Sequence, residues 1–217
     1  MCFSAEASFA GAAVLGALGW ASGRLPLPRV LIWVALIPLL FASQQFSEGL
    51  VWLGVTGKVS ENGLIRLAPY IYLFFAFLVW PIWIPFALYK AEKEIGRKRV
   101  LLVLGVMGTC LSLYYISHFP HLHLKVQIAG HSLRYFGTEM PAYVWIYLLA
   151  TLVPSFVSSL RGMWAFGLLM TVCFGISFLF YKYALTSVWC FLSAICSVSL
   201  YFILRDTQTA ADRSPLR

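Results

Sequence analysis

Glu48, with Gln44 and Gln45 just before it, is the residue of this chain whose type and setting point most directly to chemistry. All three lie in an apolar run from Val30 to Val55, long enough to cross a bilayer as a helix. Spacings of four and three make both amides helical neighbours of the carboxylate. An ionised side chain inside a membrane span is costly, so such residues usually face the bundle interior or a wet cavity. A carboxylate with two carboxamides suits a cation, a proton or a polar substrate headgroup. The alternative is structural: a protonated Glu48, or one paired with a base such as Lys182 or Arg134, would simply tie helices together.

Histidines form the second candidate group. HFPHLH supplies His118, His121 and His123, and His131 follows eight residues later. Imidazoles with sulfur and oxygen donors suit zinc or copper. The spacing matches no established metal motif, and Pro120 breaks helical continuity between His118 and His121. Solvated loop histidines or a pH-sensing role are the alternatives. Cys2 adds to the metal reading, because removal of Met1 would leave an α-amine and a thiol as a chelating pair, with Glu6 close by. Trp189 and Cys190 lie within about a turn of the start of a later apolar run. Trp189 joins Gln44 and Gln45 as a candidate substrate contact. The other cysteines, Cys110, Cys173 and Cys196, fall in apolar runs and read as small hydrophobic residues, which leaves Cys2 as the exposed thiol. No Lys lies within a span to form a retinal Schiff base.

These residues must be held by a membrane bundle. Of 217 residues, 61% are hydrophobic and 11% charged, and the mean hydropathy is +0.83. A soluble domain is about 45–50% apolar and roughly 25% charged, so the excess must face lipid. The net charge of +8 is spread between apolar runs instead of gathered on one face, which argues against nucleic acid. Seven stretches are long enough to span: 4–22, 30–55, 64–89, 100–117, 140–160, 163–181 and 184–204. They make an all-α polytopic bundle, one domain over 1–205, with a polar tail over 206–217. The one long connection, of about 22 residues, follows the fourth span.

Lys and Arg favour the cytoplasmic side. With the amino terminus outside, eleven of the sixteen fall inside, and the densest cluster runs from Lys90 to Arg99. No basic residue precedes Arg24, so the first span reads as retained and not as a cleaved signal. In this orientation Glu48, the histidines, Cys2 and Trp189 gather in the outer third, and the inner half holds almost nothing comparable. Gly16, Gly19, Gly23, Ser193 and Ser197 read as close-packing surfaces. The WPIWIP run, Trp80–Pro85, should bend the third helix. Trp52, Tyr70, Tyr72, Tyr114, Tyr115, Tyr135, Trp145, Tyr181, Tyr183 and Trp189 read as interfacial anchors.

The segments MCFSA at Met1–Ala5, QQFSEGLVW at Gln44–Trp52, VWP at Val79–Pro81 and SVWCF at Ser187–Phe191 resemble a bacterial membrane-protein family known as a domain of unknown function. That resemblance spans the chain and implies a multi-span bacterial inner-membrane protein, without assigning an activity. Members often carry a short polar residue after MCFSA, where this chain has Glu6. The overall design is also similar to the seven-span zinc hydrolases of the alkaline ceramidase and adiponectin-receptor type. Their histidines in an early and in the last span have no counterparts here.

Three functions are open to such a chain. The first is a metal-assisted enzyme acting on a lipid-like or small hydrophobic substrate, with Cys2, His118 and one of His121, His123 or His131 as ligands and Glu48 as further ligand or general base. A small transporter or channel built on Glu48, Gln44 and Gln45 is the second. The third is a non-catalytic subunit or sensor of a membrane complex.

Overall fold

The computed structural model describes residues 4–118, 124–136 and 144–212, with the backbone alone at 118 and at 210–212. Helices dominate. α1 is Ala5–Arg24, capped by the Ser4 hydroxyl, which accepts from the Ala7 N–H at 3.2 Å. α2 runs over Arg29–Val55 and α3 over Gly63–Ala91, the latter capped by Asn62, whose Oδ1 accepts from the Ile65 N–H at 3.0 Å. α4 is Ile95–His118, α5 is Val144–Val157 and α6 is Met163–Phe180. α7 starts at Lys182 and continues through Asp212.

Five of these helices, α2, α3, α4, α6 and α7, are long and apolar enough to cross a membrane. α1 has spanning length but is diluted by Gly, Ala and Ser, and α5 is shorter within the described residues. The rods pack in chain order, each on the next, and α1 closes the ring against α7. Consecutive rods run antiparallel, so chain ends meet at two poles. One pole holds the start of α1 and the end of α2, tied by Lys58 to Glu6 at 2.8 Å. The other holds the α3–α4 and α5–α6 connections, where the Arg97 guanidinium donates to the Val157 carbonyl at 3.1 Å. α4 and α6 turn wide apolar flanks outward, among them Leu102, Val106, Leu113, Leu168, Val172 and Leu179. Cys110 is exposed on α4, which corrects the expectation that it packs inward.

Close approach follows the small residues in part. A Cβ on Gly19 would stand 2.9 Å from the Leu39 backbone nitrogen, so α1 and α2 need glycine there; Gly16 makes ordinary contact and Gly23 faces open space. Ser193 and Ser197 are buried as expected. The proline run acts where its chemistry requires. Pro81 has no N–H to give the Phe77 carbonyl, and residues Phe75–Val79 widen into a π-helical turn. The Ser112 hydroxyl of α4 lies 3.4 Å from the Phe77 carbonyl oxygen and 3.2 Å from that of Leu78. The Tyr147 hydroxyl of α5 donates to the Ala76 carbonyl at 2.6 Å. Neighbouring helices thus satisfy what the distortion exposes.

Two features depart from the sequence reading. The connection after α4 contains a β-hairpin, β1 Lys125–Ala129 and β2 Ser132–Phe136, paired antiparallel with Ala129 opposite Ser132. Gly130 at φ +62 precedes His131 at negative φ, the arrangement of a two-residue II′ turn. β2 packs on α7 and β1 touches α2, which lays the hairpin over the pole that carries Glu6. The expected polar tail is also partly regular, since 206–212 continues α7 as helix.

Candidate functional site

α2 is buried around most of its circumference in its second half, where Gln44, Gln45, Ser47, Glu48, Val51 and Trp52 all have less than a tenth of their surface exposed. Ser43 and Phe46 mark the one exposed strip, and the polar residues on the enclosed faces need partners from neighbours. Glu48 finds one on α7: the Ser187 hydroxyl donates to Oε1 at 2.5 Å. Gln44 finds one on α3: the Trp80 indole N–H donates to its Oε1 at 2.8 Å. Trp80 is held in place by stacking on Phe41, with ring centroids 3.9 Å apart.

Gln45 stands beside the Glu48 carboxylate and Gln44 beside the Cys190 thiol. Tyr72 of α3 donates through its hydroxyl to the Thr186 carbonyl at 3.1 Å and lies beside Cys190. Its ring stacks on that of Tyr135 from β2, with centroids 5.0 Å apart and planes 7° from parallel. Leu133 and Tyr135 thereby cover Tyr72, Cys190 and Trp52 from the hairpin side. Trp189 is buried and meets Tyr147 and Phe174 edge to face. A narrow cavity of about 20 Å³ adjoins the cluster, lined in part by Trp80, Tyr147, Trp189 and Cys190. That is room for about one water or one small ion.

Partners are scarce for the rest of the cluster. Glu48 Oε2, Gln44 Nε2, both amide atoms of Gln45, and the indole nitrogens of Trp52 and Trp189 have no hydrogen-bond partner among the described residues. Each such atom costs about 1–3 kcal/mol when left dry. Such a cost favours a further partner within the cluster, such as a water, a proton or a cation. Nor do the bases weighed for Glu48 reach it. No ion pair to Glu48 occurs among the described residues; Lys182 lies over the Phe178 ring at 5.5 Å and Arg134 over Phe136 at 4.4 Å.

A second buried carboxylate makes the contrast. Glu92, at the opposite pole, accepts from the Ser159 N–H at 2.6 Å, the Ser159 hydroxyl at 2.7 Å, and the Lys93 and Glu94 N–H groups at 2.9 and 3.1 Å. Burial pushes its carboxyl up, but the Ser159 hydroxyl and the three N–H groups outweigh that and hold it at about 2. Glu92 is a fully satisfied staple between two connections. It also shows that the pole opposite Glu48 holds a buried carboxylate, where the sequence reading expected almost nothing comparable.

The proposed metal ligands fare differently. Cys2, His121 and His123 lie outside the described residues, as does the side chain of His118, which ends α4. His131 is exposed at the hairpin turn. Among the described residues, no three His, Cys, Asp or Glu side chains gather closely enough to hold a metal ion. Glu6 is drawn to Lys58 at the surface. Of the residues picked from sequence, Gln44, Gln45, Glu48 and Trp189 come together. Ser187, Tyr72, Tyr135, Trp80 and Cys190 were not picked. Ser187 and Cys190 sit three apart in SVWCF, a shared helical face that marks them beside Trp189. Trp52, Tyr72, Tyr135 and Trp189 are buried and not interfacial, whereas Tyr70, Tyr114, Trp145 and Tyr183 are exposed.

Fold and site together define an α-helical bundle, with five helices long and apolar enough to cross a membrane and a buried carboxylate–carboxamide cluster under a β-hairpin. The chain belongs to a family of unknown function, DUF6629, whose model matches residues 1–215. No curated protein and no solved structure matches it.

Proposed function

We propose that the protein is a multi-pass protein of the bacterial inner membrane, amino terminus outside, that binds a proton or an alkali cation at Glu48 as a small transporter or channel. The observation that carries this reading is the under-partnered carboxylate, enclosed with the amides of Gln44 and Gln45 and the Ser187 hydroxyl. Carboxylate, carboxamide and hydroxyl oxygens are hard donors and suit hard cations. One negative charge is neutralised by one monovalent cation, whereas a divalent ion would leave a net buried charge, which is costly. Side chains of α2, α3 and α7 meet at the site, and the Lys/Arg bias supports a position in the outer half.

Thermal unfolding in detergent tests the proposal. Sodium, lithium or potassium, compared with an equal concentration of a bulky organic cation, or a pH change, should raise the midpoint of the wild type. Glu48→Gln should abolish the cation response and the pH response in the neutral range, leaving the acid-range dependence that Glu92 contributes. A response of equal size in Glu48→Gln would exclude Glu48 as the site.

A metal-dependent enzyme acting on a lipid-like substrate is the second reading. It is favoured by the packing of the hairpin on α2 and α7, since β1 begins two residues after His123. Elemental analysis of purified protein decides it: about one zinc or copper per chain, lost in Cys2→Ser with His118→Ala, is expected on this reading, and a metal-free active protein would exclude it.

A further inference from the structure

The pole opposite Glu48 holds a cavity of about 1020 Å³ that the cation reading does not use. Its wall carries three cations from three separate connections or helices: Lys93 after α3, Arg161 before α6, and Arg205 on α7. None of the three is ion-paired among the described residues. Among the described residues of the wall Asp206 is the one carboxylate, which leaves a formal charge of +2 on them. Gly162, at φ +85, also lines the cavity and begins α6, whose first turn carries neither an acidic residue nor a side-chain cap. The positive end of that helix dipole therefore adds to the same field. The Thr207 and Thr209 hydroxyls also line the cavity, but they donate to the Ile203 and Arg205 carbonyls at 2.7 and 3.0 Å.

Apart from Ser159, the rest of the wall is apolar, with Pro28, Val30, Leu31, Leu160 and Ile203. A site that combines several cations with an apolar flank, on a bundle whose outer surface is greasy, fits a molecule with an anionic head and hydrocarbon chains. Its depth agrees. Trp20 and Trp164 are exposed on this pole, near the end of α1 and the start of α6, and Arg24 lies 4.3 Å over the Trp20 ring. Exposed Trp with Arg beside it marks the headgroup zone of a bilayer. The fully bonded Glu92 fixes the Ser159 backbone, and so presents the adjacent Arg161 on a rigid connection.

We propose that this cavity binds the phosphate headgroup of an anionic phospholipid from the cytoplasmic leaflet, with Lys93, Arg161 and Arg205 as the anion contacts. The inference rests on the bundle lying in a bilayer and is independent of what Glu48 binds. A free phosphate compound would share the headgroup chemistry but gains nothing from Val30, Leu31 and Ile203.

Native mass spectrometry of the detergent-solubilised chain, titrated with phosphatidylglycerol, phosphatidylcholine or inorganic phosphate, separates these cases. The wild type should retain one phosphatidylglycerol in preference to phosphatidylcholine, and inorganic phosphate at the same concentration should not compete. Lys93→Gln with Arg161→Gln and Arg205→Gln should weaken retention about tenfold or more. The charge-matched control Lys90→Gln with Lys98→Gln and Arg99→Gln, outside the cavity wall, should leave it unchanged. Asp206→Asn removes the opposing charge and should tighten it, a result that mis-folding cannot mimic. Equal loss in the control triple, competition by inorganic phosphate alone, or weaker binding in Asp206→Asn would each overturn the proposal.

Discussion

Two buried glutamates separate structural from functional burial at the level of single residues. Glu92 takes four hydrogen bonds, three of them from backbone N–H groups, whereas Glu48 takes one, from Ser187. Glu92 should therefore behave as a stability residue. Its carboxyl is held at about 2, below the ordinary 4.5. A depressed value means that its contribution is present above the unfolded-state value and is lost as pH falls through about 2. Glu92→Gln should cost about 2 kcal/mol at neutral pH and remove part of the decline in stability between pH 4.5 and 2. Chemical denaturation of both proteins across that interval checks the prediction; parallel curves would contradict it. Glu48 was legible in the sequence because a carboxylate is rare in so apolar a run. Its partner Ser187 was not, because a serine in a span is common and only the approach of α7 to α2 gives it a role.

At the scale of elements, the hairpin decides how enclosed the site is. The strands were hidden because 125–136 is short and lies in a connection already read as loop, and its turn rests on a single glycine. Their effect comes through Tyr135, which covers Tyr72 by stacking and shares its cluster with Cys190. Tyr135→Ala should open the cluster from the hairpin side. The measurement is the rate of Cys190 modification by a small neutral thiol reagent in a background with Cys2, Cys110, Cys173 and Cys196 replaced by Ser, and it should rise about tenfold or more. An unchanged rate would mean that another element closes the path. The helices themselves were easier to read. Apolar runs give their existence and order directly, and the π-helical turn before Pro81 follows from its missing N–H. What pattern alone could not give is which neighbour satisfies the freed carbonyls, a task that falls to Ser112 and Tyr147.

The whole molecule sorts its polar groups by pole. One pole encloses Glu48 with Gln44, Gln45, Ser187 and Cys190 beneath the hairpin; the other carries Glu92 and the cationic cavity. Between them the described outer surface of α4 and α6 is apolar, as lipid contact requires. The Lys/Arg count did not mark the cavity, because Lys93, Arg161 and Arg205 are far apart in the chain and meet only through the ring closure. The central claim is that the Glu48 carboxyl gains and loses a proton or a cation. Infrared difference spectroscopy in the carboxyl region reads that group directly, with pH or sodium as the perturbation. The account predicts a carboxyl band that responds to one of them and is missing from Glu48→Gln. A difference spectrum identical in the two proteins would contradict it.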